Sequence, residues 1–125
     1  MVGIIALVLQ REQLLLLQHV YQDGWALPGG WLRRGEAIDS SIAREIREET
    51  GLSVQVQSTF DVANVVTKPV IDIVLVCSVA SGEFTADNVE VANGAFFPWD
   101  ELPDHILATH LPYIRAFLST VREGG

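Results

Sequence analysis

Residues 27–52 read LPGGWLRRGEAIDSSIAREIREETGL, and this stretch decides the fold because it joins two glycines to a helix rich in glutamate. The pattern predicts a helix over residues 37–50, with Gly51 well placed to end it. That helix carries three closely spaced glutamates, Glu45, Glu48 and Glu49. Like charges four residues apart on a helix destabilise it by roughly 0.2–0.5 kcal/mol per pair. The cluster is therefore either a solvated charged face or a metal site.

On a helical wheel, the glutamates lie at the edge of the apolar face rather than opposite it. That face is formed by three isoleucines, Ile38, Ile42 and Ile46. Glu45 and Glu49 fall beside this stripe and Glu48 lies one step further round, where clustered charge is costly without a counter-ion. Oxygen ligands suit Mg²⁺ or Mn²⁺, and the chain offers no Cys/His set for zinc. The glycines before the helix supply backbone that can approach a ligand closely. The residue types therefore favour the metal site.

The segments around this helix predict a mixed α/β layer structure. Apolar or alternating runs predict strands at residues 2–10, 14–20, 52–62 and 70–80, with a short extended piece at 25–30 and a last strand from residue 94. The REQ stretch between the first two runs predicts a hairpin turn. Residues 102–123 are predicted as helical, with Pro112 either kinking that helix or opening a second one. Helices on opposite faces of the sheet would give an α/β/α sandwich.

Size and composition predict a single domain over residues 1–125, because 49% hydrophobic content is enough for a core. The net charge of −8 argues against a nucleic-acid binder. It leaves room for a phosphate-bearing small molecule, since a divalent cation can bridge carboxylates to phosphate. No apolar run approaches the roughly 20 residues of a membrane span, and no basic leader opens the chain. We therefore expect no membrane association. Cys77 has no cysteine partner, which suits a reducing compartment, so we expect a cytoplasmic protein.

The spacing of the fixed residues resembles the signature of the Nudix hydrolase superfamily, G-x5-E-x7-R-E-U-x-E-E-x-G-U with U aliphatic. Nine positions of the box at residues 30–52 match without a gap: Gly30, Glu36, Arg44, Glu45, Ile46, Glu48, Glu49, Gly51 and Leu52. The flanks WALPGGWLRRGE and VEVANGAFFPWDELP also resemble the family. The resemblance covers nearly the whole chain and implies a Nudix-type α/β/α sandwich with a mixed sheet between the helices.

The resemblance implies a pyrophosphohydrolase in which divalent ions are held by Glu45, Glu48 and Glu49. The backbone carbonyl of Gly30 is a frequent extra ligand in the family. Arg44 orients the carboxylates there, and Glu36 braces the loop and is a further candidate ligand. Three glutamates remain candidates for the general base, Glu48, Glu49 and Glu90. Asn93 stands where relatives often have a second acidic residue, which weakens the argument for the loop that carries Glu90.

Several other residues are candidates for contact with substrate. Trp31 follows the glycines and is either a stacking platform or a rim aromatic. Arg33 and Arg34 either contact phosphate or are solvated. Phe97 is predicted to alternate with Phe96 between core and cleft. The three histidines, His19, His105 and His110, show no ligand spacing and are expected at caps or on the surface.

We expect the substrate to be a small nucleotide, a nucleoside diphosphate linked to another moiety, with an ADP-ribose-like sugar favoured. One alternative is a nucleoside triphosphate, including oxidised purine nucleotides. Another, of a different class, is a regulatory module that binds nucleotides without hydrolysis. The base pocket is expected from residues 21–25, the loop around Pro69 and residues 90–97, or from a second subunit, which makes a homodimer a candidate assembly.

Overall fold

The computed structural model describes residues 1–85 and 90–124, which form one sheet and two helices. The strands are β1 (Val2–Gln10), β2 (Gln13–His19), β3 (Gly29–Trp31), β4 (Ser53–Asn64), β5 (Ile71–Ser81) and β6 (Val91–Pro98). The helices are α1 (Ile38–Thr50) and α2 (Leu111–Gly124). Within the described residues the sheet order is β4-β5-β1-β2-β6, and β3 pairs with β1 off this path. The β1–β5 pair is parallel and the other pairs are antiparallel, so the predicted mixed sheet is confirmed.

The two helices cover opposite faces of the sheet because β1 alternates its side chains between two cores. Ile4, Ala6 and Val8 pack with Ile42 and Ile46 of α1. The other face carries a second core, in which β1 and α2 meet through Ile5, Leu7, Ile114, Phe117 and Leu118. A strand buried on both faces has the nearly continuous apolar sequence that β1 shows. The α/β/α sandwich predicted from the sequence is confirmed.

The turns agree with the chemistry of their residues. Arg11 and Glu12 connect β1 to β2 with φ angles of 52° and 62°. A two-residue hairpin loop with positive φ at both positions matches the right-handed twist of its strands. At the end of α1, Gly51 has φ 77° and donates its backbone N–H to the carbonyl oxygen of Arg47. The predicted end of that helix is therefore confirmed.

The prediction of a helix over residues 102–123 is wrong in its first part. Residues 102–110 form turns and an extended bridge, and α2 begins only at Leu111. Pro112 lies in the first turn of α2, where its missing N–H has no helical partner to lose. Residues 102–110 are instead held by Trp25, which pairs with Ile106 and whose carbonyl oxygen accepts the N–H of Leu107. Tertiary pairing therefore overrides the local helical pattern.

The last strand also differs from its prediction, because β6 begins at Val91 rather than at residue 94. The early residues of β6 extend the antiparallel pairing with β2, and the register shifts between Gln18 and His19. This irregularity lies where β2 ends beside α1. Neither of the two helices in the described residues is long and apolar enough to cross a membrane.

Candidate active site

The two glycines of β3 let a strand and a helix approach each other closely. A Cβ on Gly29 would collide with the carbonyl oxygen of Ile4 on β1. A Cβ on Gly30 would lie 2.6 Å from Cδ of Glu45 on α1, which is closer than real Cβ contacts allow. The backbone of β3 therefore touches β1 on one side and a glutamate of α1 on the other. A side chain at Gly29 would separate β3 from β1, and one at Gly30 would displace the side chain of Glu45.

Arg44 contacts three carboxylates at the start of the α1 glutamate cluster. Its Nε and Nη2 donate to both oxygens of Glu36, at 2.9 Å and 3.0 Å. Its Nη1 lies 3.2 Å from Oε2 of Glu48 and 3.2 Å from Oε1 of Glu45. A planar guanidinium is suited to this arrangement because its donors have a fixed fork geometry. Arg44 therefore orders the carboxylates around it.

These contacts shift the proton affinities of the cluster. The hydrogen bonds from Arg44 lower the pKa of Glu36 to about 2, and the same pair raises the pKa of Arg44. For Glu45, burial is the largest influence and raises the pKa, while Arg44 acts against it and the neighbouring Glu49 and Glu48 add to it. Partial burial beside like charges makes Glu45 a site where a cation would be favourable.

Glu49 is held from two other sides. It is 8% exposed, its Oε1 accepts the backbone N–H of Gly29 at 3.1 Å, and its Oε2 lies 3.0 Å from Nε2 of His19. The side chain of His19 is 9% exposed. The expectation that His19 lies on the surface or at a cap is therefore wrong. The residue ends β2 at the point where that strand passes α1, which brings two residues 30 positions apart into contact.

His110 also departs from that expectation. Its Nδ1 accepts the backbone N–H of Leu27 at 3.0 Å, which fixes the neutral ring with its proton on Nε2. Burial is the main reason that the pKa of His110 falls to about 4, with His19 as a second cause. By contrast, His105 is exposed, as predicted. A histidine held neutral presents a hydrogen-bond donor rather than a charge.

One cleft of about 720 Å³ brings most of the predicted site residues together. The predicted residues that line it are Gly30, Trp31, Arg33, Glu45, Glu48, Glu49 and Glu90. Trp31 is 49% exposed. The loop between β4 and β5 adds Thr67 and Lys68, and the loop after β2 adds Tyr21. All three segments that were expected to build a base pocket, around residues 21, 69 and 90, therefore contribute residues to the wall of this cleft.

Four predicted site residues do not line the cleft. Glu36 and Arg44 lie outside the lining. Arg44 binds Glu36 and also contacts Glu45 and Glu48, which do line the cleft. Arg34 is exposed and lies outside the lining. Phe97 packs in the α2 core, with its ring centroid 4.9 Å from that of Trp25 in an edge-on contact. Phe97 therefore packs in the core and does not face the cleft as a candidate substrate contact.

The sequence reasoning missed Asp72, His19 and His110, all of which line the cleft. Asp72 carried a signal, because it is a charged residue inside the apolar strand sequence VIDIVLVCSV. A carboxylate at such a position needs a partner or a function, since burying it alone is costly. The two histidines gave no comparable signal, because their roles depend on residues far along the chain.

The cleft offers a hard cation the oxygen donors that it prefers. Three glutamates of α1 and the backbone of Gly30 face one space, and the contact between Gly30 and Glu45 brings two of these donors together. In the described conformation, however, no three His, Cys, Asp or Glu side chains of residues 1–85 and 90–124 converge tightly enough to hold an ion. Arg44 and His19 engage the carboxylates instead. The donor set fits a divalent cation, which would compete with these two side chains.

Comparison with known proteins identifies the family. The family model of the NUDIX domain matches residues 1–117, which include all of α1 and every residue that lines the cleft. The chain belongs to the Nudix family. Nudix hydrolases act on phosphoanhydride bonds of small nucleotides and generally use divalent metal ions.

Individual relatives agree with this assignment. An ADP-ribose pyrophosphatase of Methanocaldococcus jannaschii is 31% identical over 104 residues, covering 77% of this chain and 61% of that protein. The crystal structure of an ADP-ribose pyrophosphatase from Streptococcus suis has a TM-score of 0.84 at 26% identity, covering 97% of this chain and 91% of that one. A UDP-X diphosphatase structure has a TM-score of 0.83 at 28% identity, covering 98% and 63%. This Nudix chain spans between about a quarter and about two-thirds of the length of the curated relatives reported for it.

Proposed function

We propose that this chain is a single-domain, metal-dependent Nudix pyrophosphohydrolase that cleaves a nucleoside diphosphate linked to a second moiety. The observation that carries the proposal is that Glu45, Glu48, Glu49 and Gly30 all line one nucleotide-sized cleft. A solvated helix face would not bury Glu49 to 8% exposure beside a histidine and a backbone N–H. Family membership supports the same chemistry.

The side chains divide into ligands and supports. Glu45, Glu48 and Glu49 are the proposed metal ligands, with the Gly30 carbonyl as a further one. Arg44 is a positioning residue, because it contacts carboxylates and does not line the cleft. Glu36 lies on the far side of Arg44 and fixes it through two hydrogen bonds, so its proposed role is to brace that guanidinium rather than to bind metal.

The donor set of oxygens makes Mg²⁺ or Mn²⁺ the proposed ion. When bound, such an ion stabilises phosphoryl charge and lowers the pKa of bound water. The protein's own contribution is to orient the diphosphate and to accept a proton. Glu48 and Glu49 of α1 and Glu90, which also lines the cleft, are the proposed candidates for that base. Glu48 is the most accessible of the helix carboxylates, with a side chain 52% exposed against 17% for Glu45.

The proposed substrate is an ADP-ribose-like nucleoside diphosphate sugar. Two similar proteins carry the name ADP-ribose pyrophosphatase, and both align over most of this chain. Arg33 and Lys68 place positive charge on the cleft wall, where it complements a diphosphate. Trp31 is exposed beside the glycines and offers a stacking surface. Addition of water across the anhydride of ADP-ribose would release AMP and ribose 5-phosphate.

A matched kinetic comparison tests this proposal. The purified chain is incubated with ADP-ribose, UDP-glucose, a nucleoside triphosphate and an oxidised purine triphosphate, with Mg²⁺, with Mn²⁺ and with excess EDTA. We expect the highest kcat/KM for ADP-ribose and no turnover in EDTA. A triphosphate that wins by more than about tenfold, roughly 1.4 kcal/mol in the transition state, would replace the substrate assignment. Tight nucleotide binding without turnover would replace the enzyme by a regulatory module.

A further inference from the structure

Asp72 is a buried carboxylate that faces the nucleotide cleft from the side opposite to the glutamate helix. It lies on β5 beside Gly3 of β1 and is 6% exposed, yet it lines the cleft. The α1 core and the metal-site carboxylates lie on the other face of the sheet, and Asp72 lies on the α2 face through its bond to Tyr113. The proposed hydrolysis gives this residue no role.

The two oxygens of Asp72 have different surroundings. Oδ2 accepts a hydrogen bond from the hydroxyl of Tyr113 at 2.9 Å. Burial and this bond raise the pKa of Tyr113 to about 12, so the hydroxyl keeps its proton and remains a donor. Within residues 1–85 and 90–124, Tyr113 is the side-chain partner of Asp72, and Oδ1 remains available as an acceptor.

The missing side chain of Gly3 makes room for Oδ1 of Asp72 beside β1. A Cβ on Gly3 would collide with Oδ1 of Asp72 and would lie 3.7 Å from Cζ3 of Trp31. The carboxylate oxygen and the edge of the tryptophan ring therefore lie within 4 Å of one point in the cleft wall. An aromatic surface next to a fixed acceptor suits a planar ring that carries N–H groups on its edge.

We propose that Asp72, held by Tyr113 and paired with Trp31, is a specificity-determining residue that selects nucleotides whose base carries an exocyclic amino group. The proposal rests on the proposed function, since it names the base end of the same substrate. The base stacks on Trp31, and its amino group donates to Oδ1. The class includes adenine, which agrees with an ADP-ribose-like substrate.

Uracil lacks the amino group that this arrangement requires. An ionised carboxylate only accepts hydrogen bonds. The one N–H on the pairing edge of uracil lies between two carbonyl oxygens, and these would approach the carboxylate and repel it. A buried acceptor that fails to find a donor incurs its full desolvation penalty without a compensating hydrogen bond. Asp72 therefore favours an amino base both by attraction and by rejection of the competitor.

Product binding tests the proposal without requiring catalysis. Isothermal titration calorimetry gives the Kd of AMP, CMP and UMP for the wild-type chain and for Asp72→Asn, with the melting temperature of each variant as a check on folding. We expect AMP and CMP to bind at least about tenfold more tightly than UMP to the wild type. In Asp72→Asn, the ratio of Kd(UMP) to Kd(AMP) should fall by about tenfold, because a neutral amide accepts more weakly or presents an N–H₂ group instead.

Two further variants separate recognition from a general defect. Asp100→Asn makes the same chemical change at an exposed turn residue and should keep the wild-type ratio. Trp31→Ala removes an exposed ring, so it should fold. It should weaken all three nucleotides and preserve the ratio of Kd(CMP) to Kd(UMP), because these two bases have rings of the same size. This second variant keeps the test informative if Asp72→Asn does not fold, since unequal losses of CMP and UMP in Trp31→Ala would contradict the proposed division of roles.

The outcomes distinguish this inference from the proposed function. Equal affinities for AMP, CMP and UMP in the wild type overturn the inference, even if ADP-ribose is hydrolysed. Equal loss of all three nucleotides in Asp72→Asn also overturns it, because that result assigns Asp72 to the shared ribose. A preference for amino bases that Asp72→Asn removes supports the inference, even in a chain that hydrolyses none of the tested substrates.

Discussion

At the scale of single residues, Arg44 shows how the site keeps three carboxylates near one another. Its guanidinium contacts Glu36, Glu45 and Glu48 within 3.2 Å, while His19 and the backbone of Gly29 hold Glu49. Each carboxylate thus has a positive or donating neighbour that offsets repulsion from the others. A cation entering the cleft would take over part of this role.

Glu48→Gln should lower kcat by about a hundredfold or more, because it removes a charge from the cleft wall and nearly preserves the side-chain shape. The melting temperature should change little, since Glu48 is half exposed. Steady-state kinetics with ADP-ribose gives the measurement, and Glu123→Gln on the exposed side of α2 is the matched control. Wild-type kcat in Glu48→Gln would show that another carboxylate is essential.

His110 should make folding stability depend on pH. Its pKa is about 4 in the folded chain against an ordinary value of 6.5, so the unfolded chain binds more protons between these pH values. Stability should be full above about pH 6.5 and fall as the pH drops toward about 4, with a slope of up to about 1.4 kcal/mol per pH unit. Urea titrations at several pH values measure this slope.

The variant His110→Gln should flatten that pH dependence, since glutamine can accept the N–H of Leu27 without titrating. The exposed His105 provides the matched control as His105→Gln. If the slope in His110→Gln equals that of the wild type, a different group carries the pH dependence.

At the scale of secondary-structure elements, glycines set the distances between α1 and the strands. Gly29 and Gly30 allow β3 to lie between β1 and the helix, and Gly51 reverses the chain at the end of α1. The close approach of β3 to α1 places Gly30 against Glu45, and both residues line the cleft. The glycines of β3 are therefore part of the site geometry.

Gly51→Ala should lower the free energy of unfolding by about 1–2 kcal/mol, because an L-residue is strained at φ 77°. A Cβ there would also lie 2.9 Å from Oγ1 of Thr85. Gly35→Ala is the matched control, since Gly35 has φ 80° and no atom within 4 Å of its Cβ position. Equilibrium urea denaturation should show a larger loss for Gly51→Ala, and equal losses would show that the contact with Thr85 is relieved at no cost.

At the scale of the whole molecule, the cleft exists because distant segments meet beside β3. One wall comes from α1, and the others come from the loop after β2, the loop between β4 and β5, and the segment before α2. The glutamates of α1 line one part of the cleft, and Asp72 and Trp31 line another part. In the proposed complex, the diphosphate would lie at the glutamates and the base at Asp72 and Trp31, so different layers of the sandwich would recognise these two parts of the substrate.

Metal binding should stabilise the whole fold. At about one hundred times its Kd, Mg²⁺ or Mn²⁺ should raise the free energy of unfolding by about 2.7 kcal/mol and so raise the melting temperature. Differential scanning fluorimetry with and without EDTA measures the shift. The double variant Glu45→Gln with Glu48→Gln should lose most of it, whereas Glu123→Gln should keep it. An undiminished shift in the double variant would place the ion elsewhere.

Much of the fold was predictable because its signals are local. The periodicity of residues 37–50 fixed the span of α1, and Gly51 fixed its end, as the structure confirms. Apolar runs marked the strands, and the spacing from Gly30 to Leu52 predicted the family that the comparison confirms. Helix periodicity and chain reversal depend on neighbours a few residues away, so the sequence contains them directly.

The sequence by itself thus determined the carboxylate helix, the sandwich architecture and the family. Only the tertiary structure decided which side chains meet in the cleft: His19 with Glu49, Leu27 with His110, and Asp72 with Tyr113, pairs separated by 30, 83 and 41 positions. It also replaced a predicted helix over residues 102–110 by pairing with Trp25. The physical reason is that hydrogen bonding and burial between distant segments depend on how the layers pack, and local periodicity carries no information about such contacts.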